Sequence, residues 1–225
     1  RYLSGFTYKG KLWSNTYAPL YVNPDKYRVI FASDRIKYIR EDDRITTSTE
    51  VCVVKDINAE IRKITFENHT SEEVKLELTS YAEIILCENE KDIAHRSFNG
   101  MTIFGEFDEK NSALILKRKS RSKPDVNYYV VSRMFFDKEN DLKIEYETSR
   151  LDFIGRNNTT YNPQVIVNKG NLSKGLGLSL DPIMSLRREI IVKANSKENV
   201  YLLVGFGKSY EQVVHMVQSY YTGLD

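Results

Sequence analysis

The side chains best suited to acid–base or metal chemistry are few and scattered. The 225 residues include three histidines, His69, His95 and His215, and two cysteines, Cys52 and Cys87. None of them lies at metal-ligand spacing to another, so the pattern predicts no metal site. His69 falls in a turn sequence, and His215 shares the polar face of a C-terminal helix with Glu211 and Gln218. His95 precedes Ser97-Phe98 in an irregular stretch and is the one histidine with the character of a site residue. Carboxylates are plentiful. Glu145 and Glu147 are two apart and read as surface acids in ion pairs. Glu50 and Glu83 each interrupt an apolar strand, Thr49-Glu50-Val51 and Tyr81-Ala82-Glu83. A carboxylate placed inward needs a cationic partner or backbone donors, and Arg150, Arg156, Arg187 and Arg188 are the candidates. A glycosidase pair needs two carboxylates facing each other roughly 5–9.5 Å apart, which spacing along a chain does not establish. Trp13, with Tyr17 and Tyr21 nearby, supplies flat rings of the kind that stack on sugars. A lone indole also reads as core or domain-contact surface. The sequence holds no GxGxxG, P-loop, CxxC pair, HExxH or GxSxG.

Charge excludes further classes. The 33 basic and 31 acidic residues give a net charge of +2, so no general attraction for polyanions is expected and nucleic acid is not a predicted partner. The run Lys117 to Lys123 holds five basic residues in seven; it reads as a strand edge blunted by charge. No stretch approaches ~18 consecutive apolar residues, so no membrane insertion is predicted for this segment. The chain opens without Met and without an apolar leader, which suggests an excised segment in the cytoplasm. Two cysteines on alternating apolar runs read as reduced, strand-borne small side chains rather than a disulfide framework.

The elements that must position these groups are strands. Period-two, β-branched or aromatic runs recur from Ile36 onward: 45–54, 61–68, 74–86, 101–107, 113–119, 128–136, 142–148, 176–180, 188–194 and 200–206. Asn68-His69-Thr70-Ser71, Asn99-Gly100, Glu139-Asn140-Asp141, Lys169-Gly170-Asn171 and Ser196 to Asn199 read as turns between them. Ten or more strands without intervening helices predict an all-β, large antiparallel two-sheet supersandwich in one domain. One helix is predicted at the end. Ser209 caps it with Gln212 as capping-box partner, and Val213, Val214, Val217, Tyr220 and Tyr221 form its apolar stripe. That stripe either packs back on the sandwich or waits for a further domain.

Six segments in order add a resemblance. They are Trp13-Ser14-Asn15-Thr16-Tyr17-Ala18-Pro19, Thr49-Glu50-Val51-Cys52-Val53, Glu77-Leu78-Thr79-Ser80-Tyr81-Ala82-Glu83, Tyr146-Glu147-Thr148-Ser149-Arg150, Phe153-Ile154-Gly155-Arg156 and Leu180-Asp181-Pro182-Ile183-Met184-Ser185-Leu186-Arg187-Arg188. The series resembles the β-sandwich domain of the cyclic β-1,2-glucan synthase and cellobiose phosphorylase family, which includes 1,2-β-oligoglucan phosphorylases. It departs at His95-Arg96-Ser97-Phe98, where such proteins read His-Pro-Ala-Phe.

The resemblance implies a galactose-mutarotase-like supersandwich over residues 1–207. Residues 208–225 then form a linker helix toward an (α/α)6 catalytic barrel outside this sequence. It implies that the barrel, not this chain, carries the general acid and the site for inorganic phosphate, the co-substrate of the full-length phosphorylase. No cofactor and no catalytic residue is therefore expected here. Trp13, Glu50, Glu83, His95, Arg150 and Arg156 remain as candidate ligand-binding residues. The expected partners are the barrel, a β-glucan or glucose-type saccharide, and a second copy, with the Val213–Tyr221 face exposed or paired between copies. An autonomous carbohydrate-binding module is the alternative. A complete small glycosidase or epimerase is disfavoured, because it would need a His and a carboxylate on one concave face.

Overall fold

The computed structural model describes residues 2–8, 11–119, 127–137 and 143–220. Fourteen strands follow in chain order among them: β1 (Tyr2–Tyr8), β2 (Lys11–Ser14), β3 (Lys26–Phe31), β4 (Ile36–Asp42), β5 (Ile45–Val53), β6 (Ala59–Asn68), β7 (Val74–Glu83), β8 (Ile103–Asp108), β9 (Ala113–Arg118), β10 (Tyr129–Phe136), β11 (Glu145–Ser149), β12 (Gly177–Leu178), β13 (Pro182–Val192) and β14 (Lys197–Gly207). Four short helices accompany them: α1 (Asn89–Gly100), α2 (Arg150–Ile154), α3 (Gln164–Val167) and α4 (Tyr210–Ser219).

The strands make two sheets in which every pairing is antiparallel. The smaller has the order β11-β13-β7-β1-β2 and the larger β12-β8-β9-β10-β14-β6-β5-β4-β3. The main core lies between them. Leu76, Leu78, Ile190 and Val192 of the smaller sheet meet Ile64, Phe66, Leu116, Met134 and Leu202 of the larger, with Trp13 among them. Both sheets are also covered on part of their outer faces. Tyr81 and Ile183 of the smaller sheet pack against Phe153, Ile154 and Val165 of α2 and α3. Ile61, Val131 and Leu203 of the larger pack against Val213 and Val217 of α4. This double coverage explains the near-continuous burial along β10 and β13, since alternation of buried and exposed positions is lost where both faces are covered.

Asn68 ties the end of β6 to the far sheet. Its amide donates to the carbonyls of Glu72, Val192 and Lys193 at 2.7, 3.1 and 3.0 Å, and its side-chain oxygen accepts from the Thr70 amide at 2.9 Å. The predicted turn here is thus an Asx-turn with a structural anchor at its first residue.

Several expectations change. Helices do intervene between strands. α1 buries only Gly100, so it presents no apolar stripe to betray it, and Asn99-Gly100 ends this helix rather than closing a hairpin. β1, β2 and β3 precede the first strand read from alternation. β9 bonds to both β8 and β10, so Lys117 and Arg118 are not on a sheet edge. Lys117 pairs with Glu106 at 2.9 Å across the β8–β9 ladder, while Ser120 to Lys123 lie outside the described residues, as does the Glu139-Asn140-Asp141 turn. Cys87 lies beyond the end of β7, half-buried, whereas Cys52 is exposed on β5; both thiols are free.

The α4 stripe packs back on the larger sheet. Val213 and Val217 are 0% and 1% exposed, so the face is not left open for a partner; Tyr221 lies outside the described residues. Gly205 permits the close approach, since a Cβ there would sit 2.9 Å from the Met216 sulfur. Ser209 accepts from the Gln212 amide at 3.2 Å as predicted, but the Gln212 side chain reaches back to the Lys208 amide at 2.8 Å, one residue earlier than a capping box requires.

Candidate functional site

The end of β7 gathers polar groups contributed by separate elements. Period two places Tyr81 and Glu83 on one face of the strand. The Tyr81 ring is buried against Phe153, at 5.0 Å between ring centroids, and its hydroxyl donates to Glu83 Oε1 at 3.2 Å. Arg150, the first residue of α2, donates from Nε to the same oxygen at 3.4 Å. Arg96 of α1 donates from Nη2 to Glu83 Oε2 at 3.2 Å. Arg150 also lies 3.6 Å from Asp181, just before β13. Ser149 fixes the start of α2 by accepting from the Asp152 amide at 3.3 Å. Beside the cluster is a cavity of about 20 Å³, lined in part by Asn99, Arg118 and Leu180, which is room for about one water.

The electrostatics define what this carboxylate can do. Burial pushes the Glu83 carboxyl up, but the bonds from Tyr81 and Arg96 and the charges of Arg150 and Arg96 outweigh burial and hold it below the ordinary 4.5. At neutral pH Glu83 is an acceptor with no proton to give. Burial and the adjacent Glu83 charge push the Tyr81 phenol well above its usual range, so it remains a donor. The arrangement clamps α1 and α2 to the end of β7.

The other candidate residues are dispersed. Glu50 is on the outer face of β5, in the other sheet from Glu83. It is held below the ordinary value, against burial, by Arg35 at 3.0 Å and Lys37 at 3.2 Å, none of the four arginines proposed from sequence. Trp13 is 2% exposed and sits in the main core, so its ring faces side chains, not solvent. His95 is exposed at a break inside α1, where φ and ψ are −150° and 58°. Its neighbour Arg96 is the one that reaches Glu83. Arg156 stands exposed beyond α2, after Gly155, whose φ of +83° and contact with Gln164 exclude a side chain.

Arg187 is buried and bonds Thr79 at 2.9 Å and the Gly170 carbonyl at 2.6 Å, with Glu77 at 3.3 Å. Glu147 is also buried. It accepts from the Thr148, Ser149 and Ser173 amides at 2.9, 3.0 and 3.2 Å, so it is an internal anchor for the 172–175 loop rather than a surface ion pair. Sequence reasoning missed Tyr81, Arg96 and Asp181. Period two within Tyr81-Ala82-Glu83 signals the first; nothing local signals the others. Among the described residues no cluster of three or more His, Cys, Asp or Glu side chains could hold a metal, and no helix is long and apolar enough to cross a membrane.

Two stacked antiparallel sheets of five and nine strands, each backed by short helices, define a large supersandwich. Residues 2–222 match the family model described as glycosyl hydrolase 94, supersandwich domain. The chain belongs to that family. It is 28% identical over 194 residues to the cyclic beta-(1,2)-glucan synthase NdvB of Rhizobium meliloti (strain 1021), a match covering 86% of this chain and 7% of that protein. Among solved structures, it shares its fold with a bacterial glucoamylase complexed with acarbose: TM-score 0.58, 15% identity, 97% of this chain and 28% of the other. A protein from the human microbiome described as a kojibiose phosphorylase is also similar: TM-score 0.51, 10% identity, 96% of this chain and 23% of the other. The chain therefore spans a small part of each relative's length.

Proposed function

We propose that this chain is the non-catalytic supersandwich domain of a glycosyltransferase or inverting glycoside phosphorylase acting on β-glucan, with β-1,2-glucan as the substrate of the whole enzyme. The observation that carries the reading is the family match over residues 2–222. The identity to a cyclic glucan synthase supports the β-1,2 linkage. In this reading residues 1–207 support an (α/α)6 barrel and residues 208–225 lead toward it. Seating of α4 on the larger sheet gives that linker a fixed point of departure. The barrel supplies the acid that protonates the glycosidic oxygen and the site from which phosphate attacks the opposite face of the sugar. The Glu83 clamp holds α1 and α2 in place, and Arg156, exposed beyond α2, offers a donor to saccharide hydroxyls. The reading keeps the domain in the cytoplasm, which two unpaired thiols suit.

The test is phosphorolysis of sophorose-type β-1,2-oligosaccharides with inorganic phosphate, comparing the 225-residue chain with its full-length parent. Release of glucose 1-phosphate by the parent and none by the chain is the expected result. Turnover by the chain alone overturns the non-catalytic assignment. A saccharide-dependent rise in Tm of the chain, lost in Arg156→Ala, favours an autonomous binding module instead.

A further inference from the structure

The two halves of α1 are held to the sandwich unequally. The chain leaves β7 through Leu86, which is buried, and Cys87, which is half-buried. From Glu88 to Phe98 every residue is exposed except Asp92, which is half-buried. The first half of the helix, Asn89 to Ala94, therefore buries no apolar side chain, and its Ile93 is 76% exposed. The Glu88 side chain does not cap its N-terminus, and the Lys91–Glu88 ion pair at 3.3 Å stays within this half. A helical segment this short does not hold in water by itself.

The second half is fixed to the body. Arg96 bonds Glu83 at 3.2 Å. Gly100 packs so closely on Leu180 that a Cβ there would lie 2.6 Å from the Leu180 carbonyl oxygen. Between the halves His95 leaves helical geometry, with φ and ψ of −150° and 58°, so the regular ladder of helical bonds is interrupted there. Asn99 spans the break. Its Nδ2 donates to the Lys91 carbonyl at 2.6 Å and to the His95 carbonyl at 3.1 Å. The cavity beside the Glu83 cluster lies against this first half, with Cys87, Asp92 and Arg118 in its wall.

We propose that residues 88–94 form a flap, hinged at Cys87 and His95 and latched shut by Asn99. Opening breaks the two Asn99 bonds and admits water to the cavity and to the Cys87 thiol. Closing returns Asp92 to the cavity wall. The Arg96–Glu83 pair stays made in both states, because Arg96 lies beyond the hinge. A segment with so little buried area opens at a far lower free energy than the whole fold. While the flap is shut, burial pushes the Cys87 thiol up, against the charge of Arg118, which slows its reaction. The thiol thus reports the state of the flap. The proposal does not rest on the glucan reading, and a failed phosphorolysis assay leaves it standing.

Alkylation of Cys87 by iodoacetamide, followed by mass spectrometry in the whole chain carrying Cys52→Ser, reads the opening. The rate should lie well below that of the same chain unfolded in urea. It should also stay nearly flat as urea rises toward the unfolding transition, because a local opening exposes little surface. Asn99→Ala removes the latch and should speed labelling about tenfold. Lys91→Ala keeps the carbonyl that Asn99 holds and should change the rate by about twofold at most. Labelling of the folded chain as fast as the unfolded one overturns the proposal, since Cys87 is then never covered. So does a rate that climbs with urea in parallel with global unfolding, or an Asn99→Ala variant no faster than its parent.

Discussion

Glu83 shows how partners decide the character of a side chain. A carboxylate at the end of an apolar strand reads as a buried acid in need of a cation, and Arg150 was among the residues that met that need. The second arginine, Arg96, comes from a helix that carries no apolar stripe. With three donors on it and a pKa held below the ordinary 4.5, Glu83 favours the folded state only while ionised. This contribution is complete above the unfolded value and fades as pH falls through the lower folded value. Glu83→Gln should therefore cost about 1–2 kcal/mol at about pH 7 and little at about pH 3. Thermal melts of both proteins across that range should converge in acid; parallel curves would show that the clamp contributes nothing. Trp13 and Glu147 carry the opposite lesson. Residue type left the first open between a sugar platform and a core or domain-contact ring and read the second as a surface acid; burial places both inside.

Among the elements, the strands were legible wherever one face is buried and the other wet, as along β5 and β6. β3 was not, because neither of its faces is covered. α1 was not, because it buries only Gly100, and α3 was not, because its four residues are too few to show a helical period. α4 was legible from its stripe and its Ser209 cap, but the stripe alone left two destinations open. The structure seats it on Gly205 and Ile61 of the larger sheet. Burying Val213 and Val217 there contributes roughly 1.5–3 kcal/mol each. Val213→Asp places an unpaired charge in that contact and should cost about 3 kcal/mol or more, measured by urea denaturation, with proteolytic cleavage of the C-terminal segment at native pH. A neutral result would mean that the helix is not held by the sandwich.

For the whole molecule, one core shared by both sheets implies one cooperative unit. Trp13 is the single tryptophan and lies inside that core. Its fluorescence and the far-UV circular dichroism should therefore report coincident unfolding transitions in urea. Separate midpoints would mean that the β1–β2 edge opens independently of the rest. A scaffold with a single core suits the proposed role, since a rigid body can fix the position of a neighbouring catalytic domain without taking part in its chemistry.

Alternation of side chains is a property of neighbours two residues apart, so the chain alone dictates strands, turns and the need for two stacked sheets. The ordered segments from Trp13 to Arg188 likewise disclose the family before any coordinate does. Which strand lies beside which is a different matter. β14 inserts between β10 and β6, and Glu83 meets Arg150 across 67 positions of sequence. Such choices depend on burial shared by distant segments, and only the assembled core contains that information.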